Sequence, residues 1–316
     1  MKISLIIKGI LIGSANVIPG VSGGTIALIL GVYEELLNSI KRINLKSLKL
    51  LIKLKVKEFL SAINFTFLFN IAIGILISLF TVAYLLKFLF KHYPIYVWSF
   101  FCGLILSSVL LIYKEIPKKG SIEKILFIIG TLIGIIIFFI KPLNENSDFF
   151  YLIFCGVIGI SSMIIPGLSG SYLLLILGNY KLIMIDSVLS LNLKILLPVF
   201  LGVILGIIIT TRILHYLMIN FKSLTLSIIN GFILGSLILI WPWKHTYDMD
   251  GKLIYTNKFG AFINNFGNIL DEKITIGSYK LYFPEFNDVF FISFAIMIIG
   301  FISILILEHK KLQKIK

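Results

Sequence analysis

Hydrophobic residues run in long blocks along this chain, and polar residues gather between the blocks. Apolar stretches occupy residues 65–90, 95–113, 122–140, 195–219, 224–241 and 289–307. A helix crosses the hydrocarbon core of a bilayer with about 20 apolar residues, so these six stretches predict transmembrane helices. Two further regions, 3–37 and 149–185, are also apolar but are interrupted at the centre by a proline and several glycines.

The two interrupted regions repeat one another. IPGVSGGTIALILGVY begins at Ile18 and IPGLSGSYLLLILGNY at Ile165, an offset of 147. Pro19, Gly20, Ser22, Gly23, Gly31 and Tyr33 thereby meet Pro166, Gly167, Ser169, Gly170, Gly178 and Tyr180. A weaker echo joins GLILSSVLLI from Gly103 to GFILGSLILI from Gly231, at an offset of 128. A shared P-G-x-S-G followed by L-I-L-G-x-Y is more than shared hydropathy. Each half, 1–143 and 144–316, is read as one interrupted element followed by three spans. Internal repeats of this kind are typical of transporters. The start of the chain resembles a signal peptide, but it runs straight into the repeated segment and is expected to stay.

Charge orients the spans. Basic residues crowd the connection 41–58, flank the next connection at Lys114, Lys118, Lys119 and Lys124, and fill the tail after His309. Segments 141–148 and 244–288 carry mixed or acidic charge. Positive residues favour the cytoplasmic side, which places both termini in the cytoplasm and the second set of connections outside. Each interrupted element must then enter and leave on one side. The expected fold is an all-α polytopic membrane protein of two inverted-topology repeats, each a re-entrant broken helical hairpin (3–37, 149–185) plus about three spans. Segment 244–288 is expected to form a strand or two in a small extracellular cap, without assigned chemistry.

Composition narrows the function. Apolar residues make up 58% of the 316, charged residues only 14%, and the mean hydropathy is +1.02. A soluble enzyme, a nucleic-acid binder and a disordered chain are excluded as first readings. The net charge of +14 then reads as topology and lipid contact. Cys102 and Cys155 lie inside apolar runs, and His92, His215, His245 and His309 are scattered. Neither set has metal-ligand spacing, and no cofactor is expected.

The candidate chemistry lies in the two P-G-x-S-G elements. Proline starts a helix without wasting an N–H, glycine lets backbone approach a ligand, and serine offers a hydroxyl and a cap. Behind each motif an apolar helix is expected, over 25–37 and 172–185, with its N-terminus at membrane depth. Free N–H groups and the helix dipole there favour an anion. Asn16, Thr25 and Ser171 stand beside the breaks as further donors. Arg212, inside 195–219, is the second candidate, because an intramembrane charge is a functional hypothesis by default and a guanidinium suits phosphate. Lys87, His215, Glu34 and Glu35 read as interface or helix-end residues.

The stretch ANVIPGVSGGTIALILGVYEEL, its internal copy and the hydropathy of the whole chain resemble the polyprenyl-phosphate transporter (PopT) family. The resemblance implies a bacterial inner-membrane protein that returns undecaprenyl phosphate to the cytoplasmic leaflet, coupled to protons or the membrane potential. It implies binding of the lipid at Asn16, Pro19, Gly20, Ser22, Gly23, Gly24 and Thr25, and through the repeat at Pro166, Gly167, Ser169 and Gly170. The expected partners are a polyprenyl-phosphate lipid and the membrane, with homo-oligomerisation open and no nucleic acid. A small-anion transporter and an undecaprenyl-diphosphate phosphatase are the alternatives. The phosphatase motif reads P-G-x-S-R-S, and its arginine is replaced here by Gly23 and Gly170.

Overall fold

The computed structural model describes residues 3–17, 22–140, 143–187, 190–248, 252–257, 262–263 and 276–313. In the first half, α1 (Ile3–Val17) leads into α2 (Gly23–Ile29) and α3 (Tyr33–Lys41). Short exposed helices α4 (Leu45–Ile52) and α5 (Val56–Ala62) precede α6 (Phe65–Phe80), α7 (Val82–His92), α8 (Pro94–Glu115) and α9 (Ser121–Phe138). In the second half, α10 (Phe149–Ile164) leads into α11 (Gly170–Ile176) and a π-helical turn, Leu182–Asp186. Then come α12 (Leu193–Asn220), α13 (Lys222–Ser236), strands β1 (Lys244–Asp248), β2 (Leu253–Ile254) and β3 (Ile276–Leu281), and α14 (Asp288–Gln313).

Among the described residues, four helices are long and apolar enough to cross a membrane: α8, α9, α12 and Asp288–Ile306 of α14. Helices α5 and α6 form a fifth candidate, bent by 72° at their junction. Isoleucine, leucine and phenylalanine side chains stand exposed along α9, α12 and α14, a surface that suits lipid rather than water. Helix α8 is central: 61% of its apolar window is buried, against 17% for α14.

Two expected spans differ from the sequence reading. Stretch 65–90 breaks at Thr81, whose backbone leaves the helical geometry (φ −109°, ψ −61°) and whose hydroxyl donates to the Ile77 carbonyl at 2.7 Å. A hydroxyl bonded back to the preceding turn bends helices. Stretch 224–241 is α-helical only to Ser236. Leu237 to Ile240 continue it as tight turns with three-residue hydrogen bonds, which carry the chain further per residue than an α-helix.

The close helix pairs map onto each other when the halves are exchanged. Helix α1 packs on α6 as α10 packs on α12, and α8 packs on α14 as α13 packs on α9. The last two pairs cross between halves, so the halves are interleaved. Small residues let these backbones approach. A Cβ on Gly74 would lie 2.2 Å from the Ile6 carbonyl, and one on Gly202, at the offset of 128, 2.1 Å from the Ile153 carbonyl. Hydroxyl pairs bridge the same helices: Ser14 with Ser78 at 3.0 Å and Ser161 with Thr210 at 2.6 Å.

Segment 244–288 forms three antiparallel strands in the order β2-β1-β3, with a bulge at Tyr247/Asp248. Thr246 faces Ile254 on one side and Tyr279 on the other. The sheet covers the ends of α8, α13 and α14 around a cavity of about 730 Å³.

Candidate substrate-binding site

The repeated sequence builds the same local structure twice. Ser22 and Ser169 precede α2 and α11 with nearly the same extended backbone, φ −106° and −107°. Seven residues later each helix stops. Gly31 (φ 66°) and Gly178 (φ 74°) adopt the left-handed conformation that favours glycine. Val32 N–H then bonds the Ala27 carbonyl and Asn179 N–H the Leu174 carbonyl, both at 3.0 Å. This is the Schellman stop, and it is what the shared L-I-L-G-x-Y encodes. The continuous helices expected over 25–37 and 172–185 are corrected accordingly: a left-handed glycine ends an α-helix.

Each short helix folds back on the helix before it. A Cβ on Gly170 would meet the Gly159 carbonyl, Leu174 packs on Gly159, and the Tyr151 hydroxyl donates to the Leu177 carbonyl at 2.8 Å. In the first copy, the Lys8 ammonium donates to the equivalent Leu30 carbonyl at 3.0 Å.

The two copies meet. Gly167 N–H donates to the Thr25 hydroxyl at 2.7 Å, the Ser22 hydroxyl to the Ile165 carbonyl at 3.3 Å, and the Tyr33 hydroxyl to the Ile164 carbonyl at 3.1 Å. Gly24 permits the approach, since a Cβ there would sit 2.7 Å from the Ile164 carbonyl. Ser22, Gly23, Gly24, Thr25, Pro166, Gly167, Ser169 and Gly170 are all buried, while Ser171 is half-buried. Ser169 and Ser171 share one hydrogen bond at 3.0 Å. Two hydroxyls need two acceptors, so one of their hydrogens has none among the described residues.

Other predicted residues fall elsewhere. Asn16 lies in the last turn of α1, and its side chain, like that of Lys87, is outside the described residues, as are Pro19 and Gly20. Arg212 is not brought to the motifs. It is exposed on α12 between the exposed Ile209, Ile213 and Tyr216, and has no hydrogen bond or ion pair among the described residues. Its helix turns this side chain outward, as for a long cation that snorkels. Glu34 pairs with Lys222 at 2.7 Å, in the open.

Two further features were not read from the sequence. An apolar groove of about 720 Å³ starts beside the first motif at Ala15 and Ile26 and runs along α8 past Leu104, Phe100 and Tyr96. On the cap side, Lys244 lies over the rings of Trp98 (4.2 Å) and Tyr279 (4.6 Å) and donates to the Leu239 carbonyl at 2.5 Å. Its stem borders the cavity and is half-buried, while the ammonium itself is enclosed, and burial pushes its pKa down to about 7. Lysine directly after W-P-W at the end of an apolar run was the available signal. Tyr279 stacks near Phe138 at 6.4 Å, and the Tyr172 hydroxyl is 3.4 Å from the Phe138 carbonyl. Tyr172 follows Ser171, so the cap adjoins the second motif.

Comparison with known proteins gives the family. The family described as VCA0040-like, undecaprenyl phosphate translocase-like, matches residues 12–254. A polyprenyl-phosphate transporter of Vibrio cholerae serotype O1 is 38% identical over 244 residues, covering 77% of this chain and 79% of the relative. A polyprenyl-phosphate transporter of Staphylococcus aureus is 33% identical over 255 residues, covering 75% and 85%. No solved structure matches. With four apolar spans and a family match across most of its length, this multi-pass membrane chain belongs to the undecaprenyl phosphate translocase-like family.

Proposed function

We propose that this chain carries undecaprenyl phosphate between the leaflets of the bacterial cytoplasmic membrane and returns the lipid carrier for reuse in cell-wall synthesis. The observation that carries this reading is the interlocking of two P-G-x-S-G copies, 147 residues apart, by the bond from Gly167 to Thr25. A phosphate head needs donors at membrane depth; the hydroxyls of Ser169 and Ser171 and the turn N–H groups supply them. A prenyl chain needs a hydrocarbon path; the groove along α8 supplies one beside the first motif, to which the second is bonded. The repeats have opposite topology, with both hairpins re-entrant, both termini cytoplasmic and the cap outside. The site is then reached from each side in turn as one repeat moves against the other. Arg212 contributes at the cytoplasmic rim rather than at the head site.

Leaflet exchange of labelled undecaprenyl phosphate in proteoliposomes tests this. Protein-dependent equilibration is expected, with a rate reduced roughly tenfold or more in Ser169→Ala, the scale of a lost hydrogen bond to a charged group. No equilibration under a proton gradient or a membrane potential overturns the lipid reading. Exchange blocked by millimolar inorganic phosphate in its place would favour a small-anion carrier.

A further inference from the structure

We propose that the cavity under the cap is a second binding site, for a phosphate-bearing group, with Lys244 as its counter-charge. The inference rests on the reading of the chain as a carrier of a phosphate-headed lipid. The first observation is an ammonium with no acid beside it among the described residues. Lys244 is enclosed by the faces of Trp98 and Tyr279 and bonds one backbone carbonyl, and no carboxylate reaches it within salt-bridge distance among the described residues. Glu285 lines the same cavity but is exposed, at its rim. Enclosing a cation without an anion is costly, and ring faces offset only part of that cost. A leucine or methionine would fill the space with no such penalty, so the lysine is explained by an anion that arrives.

The second observation is the size and position of the cavity. About 730 Å³ holds a phosphate group with part of an apolar tail. Aromatic rings wall it, and the Tyr279 hydroxyl, whose pKa burial pushes up to about 12, remains a donor at neutral pH. Tyr279 stacks near Phe138, whose carbonyl accepts from the Tyr172 hydroxyl at 3.4 Å. Lys244, Tyr279, Phe138 and Tyr172 thus form a chain of contacts from the cavity to the neighbour of Ser171 in the second motif. The cap site is the place where a phosphate head waits on that side before or after it occupies the motifs. Tyr279 lies beyond residue 254, where the family match ends.

The chain carries its own reporter. Its three tryptophans are Trp98, Trp241 and Trp243. Trp98 and Trp243 line the cavity, and Trp241 packs on Trp243 at 5.4 Å. Tryptophan emission of the full chain in nanodiscs is followed in two arms, inorganic phosphate and nanodiscs of rising undecaprenyl phosphate content, with undecaprenol as the uncharged control. A saturable emission change is expected with the phosphate lipid and not with undecaprenol. Its midpoint should move at least roughly tenfold in Lys244→Met and stay within a few-fold in Lys244→Arg. A response to inorganic phosphate as well assigns a site that reads the head alone; a response confined to the lipid assigns one that reads head and tail. An equal response in wild type and Lys244→Met overturns the proposal. If Lys244→Met does not fold, Lys244→Gln takes its place with the same expectations. Leaflet exchange measured on the same samples separates the two readings. Exchange without Lys244-dependent binding overturns the cap site and leaves the transport reading standing. Lys244-dependent phosphate binding without exchange does the reverse.

Discussion

The two P-G-x-S-G motifs are alike in sequence and in backbone, yet they are used differently. The first is a lock. Its Thr25 accepts from Gly167, its Ser22 donates to Ile165, and both side chains are almost wholly buried. The second bonds within itself. Ser169 and Ser171 bond each other, Ser171 is half-buried, and Tyr172 beside them leads to the cap. A duplicated motif in an asymmetric surrounding can divide its labour, because each hydroxyl is committed by whatever lies opposite it. The first copy's hydroxyls lie opposite backbone, and the second copy's lie opposite each other.

The comparison makes graded predictions. The largest effect is expected for Gly167→Val. A Cβ there sits 2.7 Å from the Phe232 ring, on a backbone with φ of 92°. Overpacking costs about 1–3 kcal/mol and a left-handed backbone adds about 1–2 kcal/mol. The variant should lose folded yield and melt well below wild type in detergent. A normal melting curve would mean that the turn of the second motif does not pack on Phe232 of α13 as described. Next is Thr25→Val, which keeps the shape and leaves the Gly167 N–H unsatisfied. An unpaired buried donor costs about 1–3 kcal/mol, so its thermal midpoint should fall while Thr25→Ser stays near wild type. Ser169→Ala should do the opposite, melting as wild type but exchanging lipid slowly. If both variants lose stability equally, the division of labour is wrong. The smallest effect belongs to Arg212→Ala. An exposed side chain without partners changes stability by less than about 0.5 kcal/mol, and lipid exchange should fall less than about twofold, which is about 0.4 kcal/mol in these terms. A tenfold loss would return Arg212 to the head site.

Four of the six hydrophobic blocks in this chain are long apolar helices as expected, because a bilayer asks only for length and apolarity. The repeat was legible too, as was the P-G-x-S-G pair, since a shared turn chemistry leaves the same glycines and serines in both copies. Even the helix stops were written at Gly31 and Gly178, though a run of apolar residues masked them. Three matters were decided by tertiary structure alone. Thr25 and Ser171 are both small hydroxyls beside a break, and only the packing of one hairpin on the other commits the first and leaves the second to Ser169. Arg212 and Lys244 are both cations beside apolar runs. The rotation of α12 turns one outward, and three strands paired across more than thirty residues fold over the other. Whether a charge is enclosed depends on what long-range contacts bring above it, and no local pattern of polar and apolar positions records that.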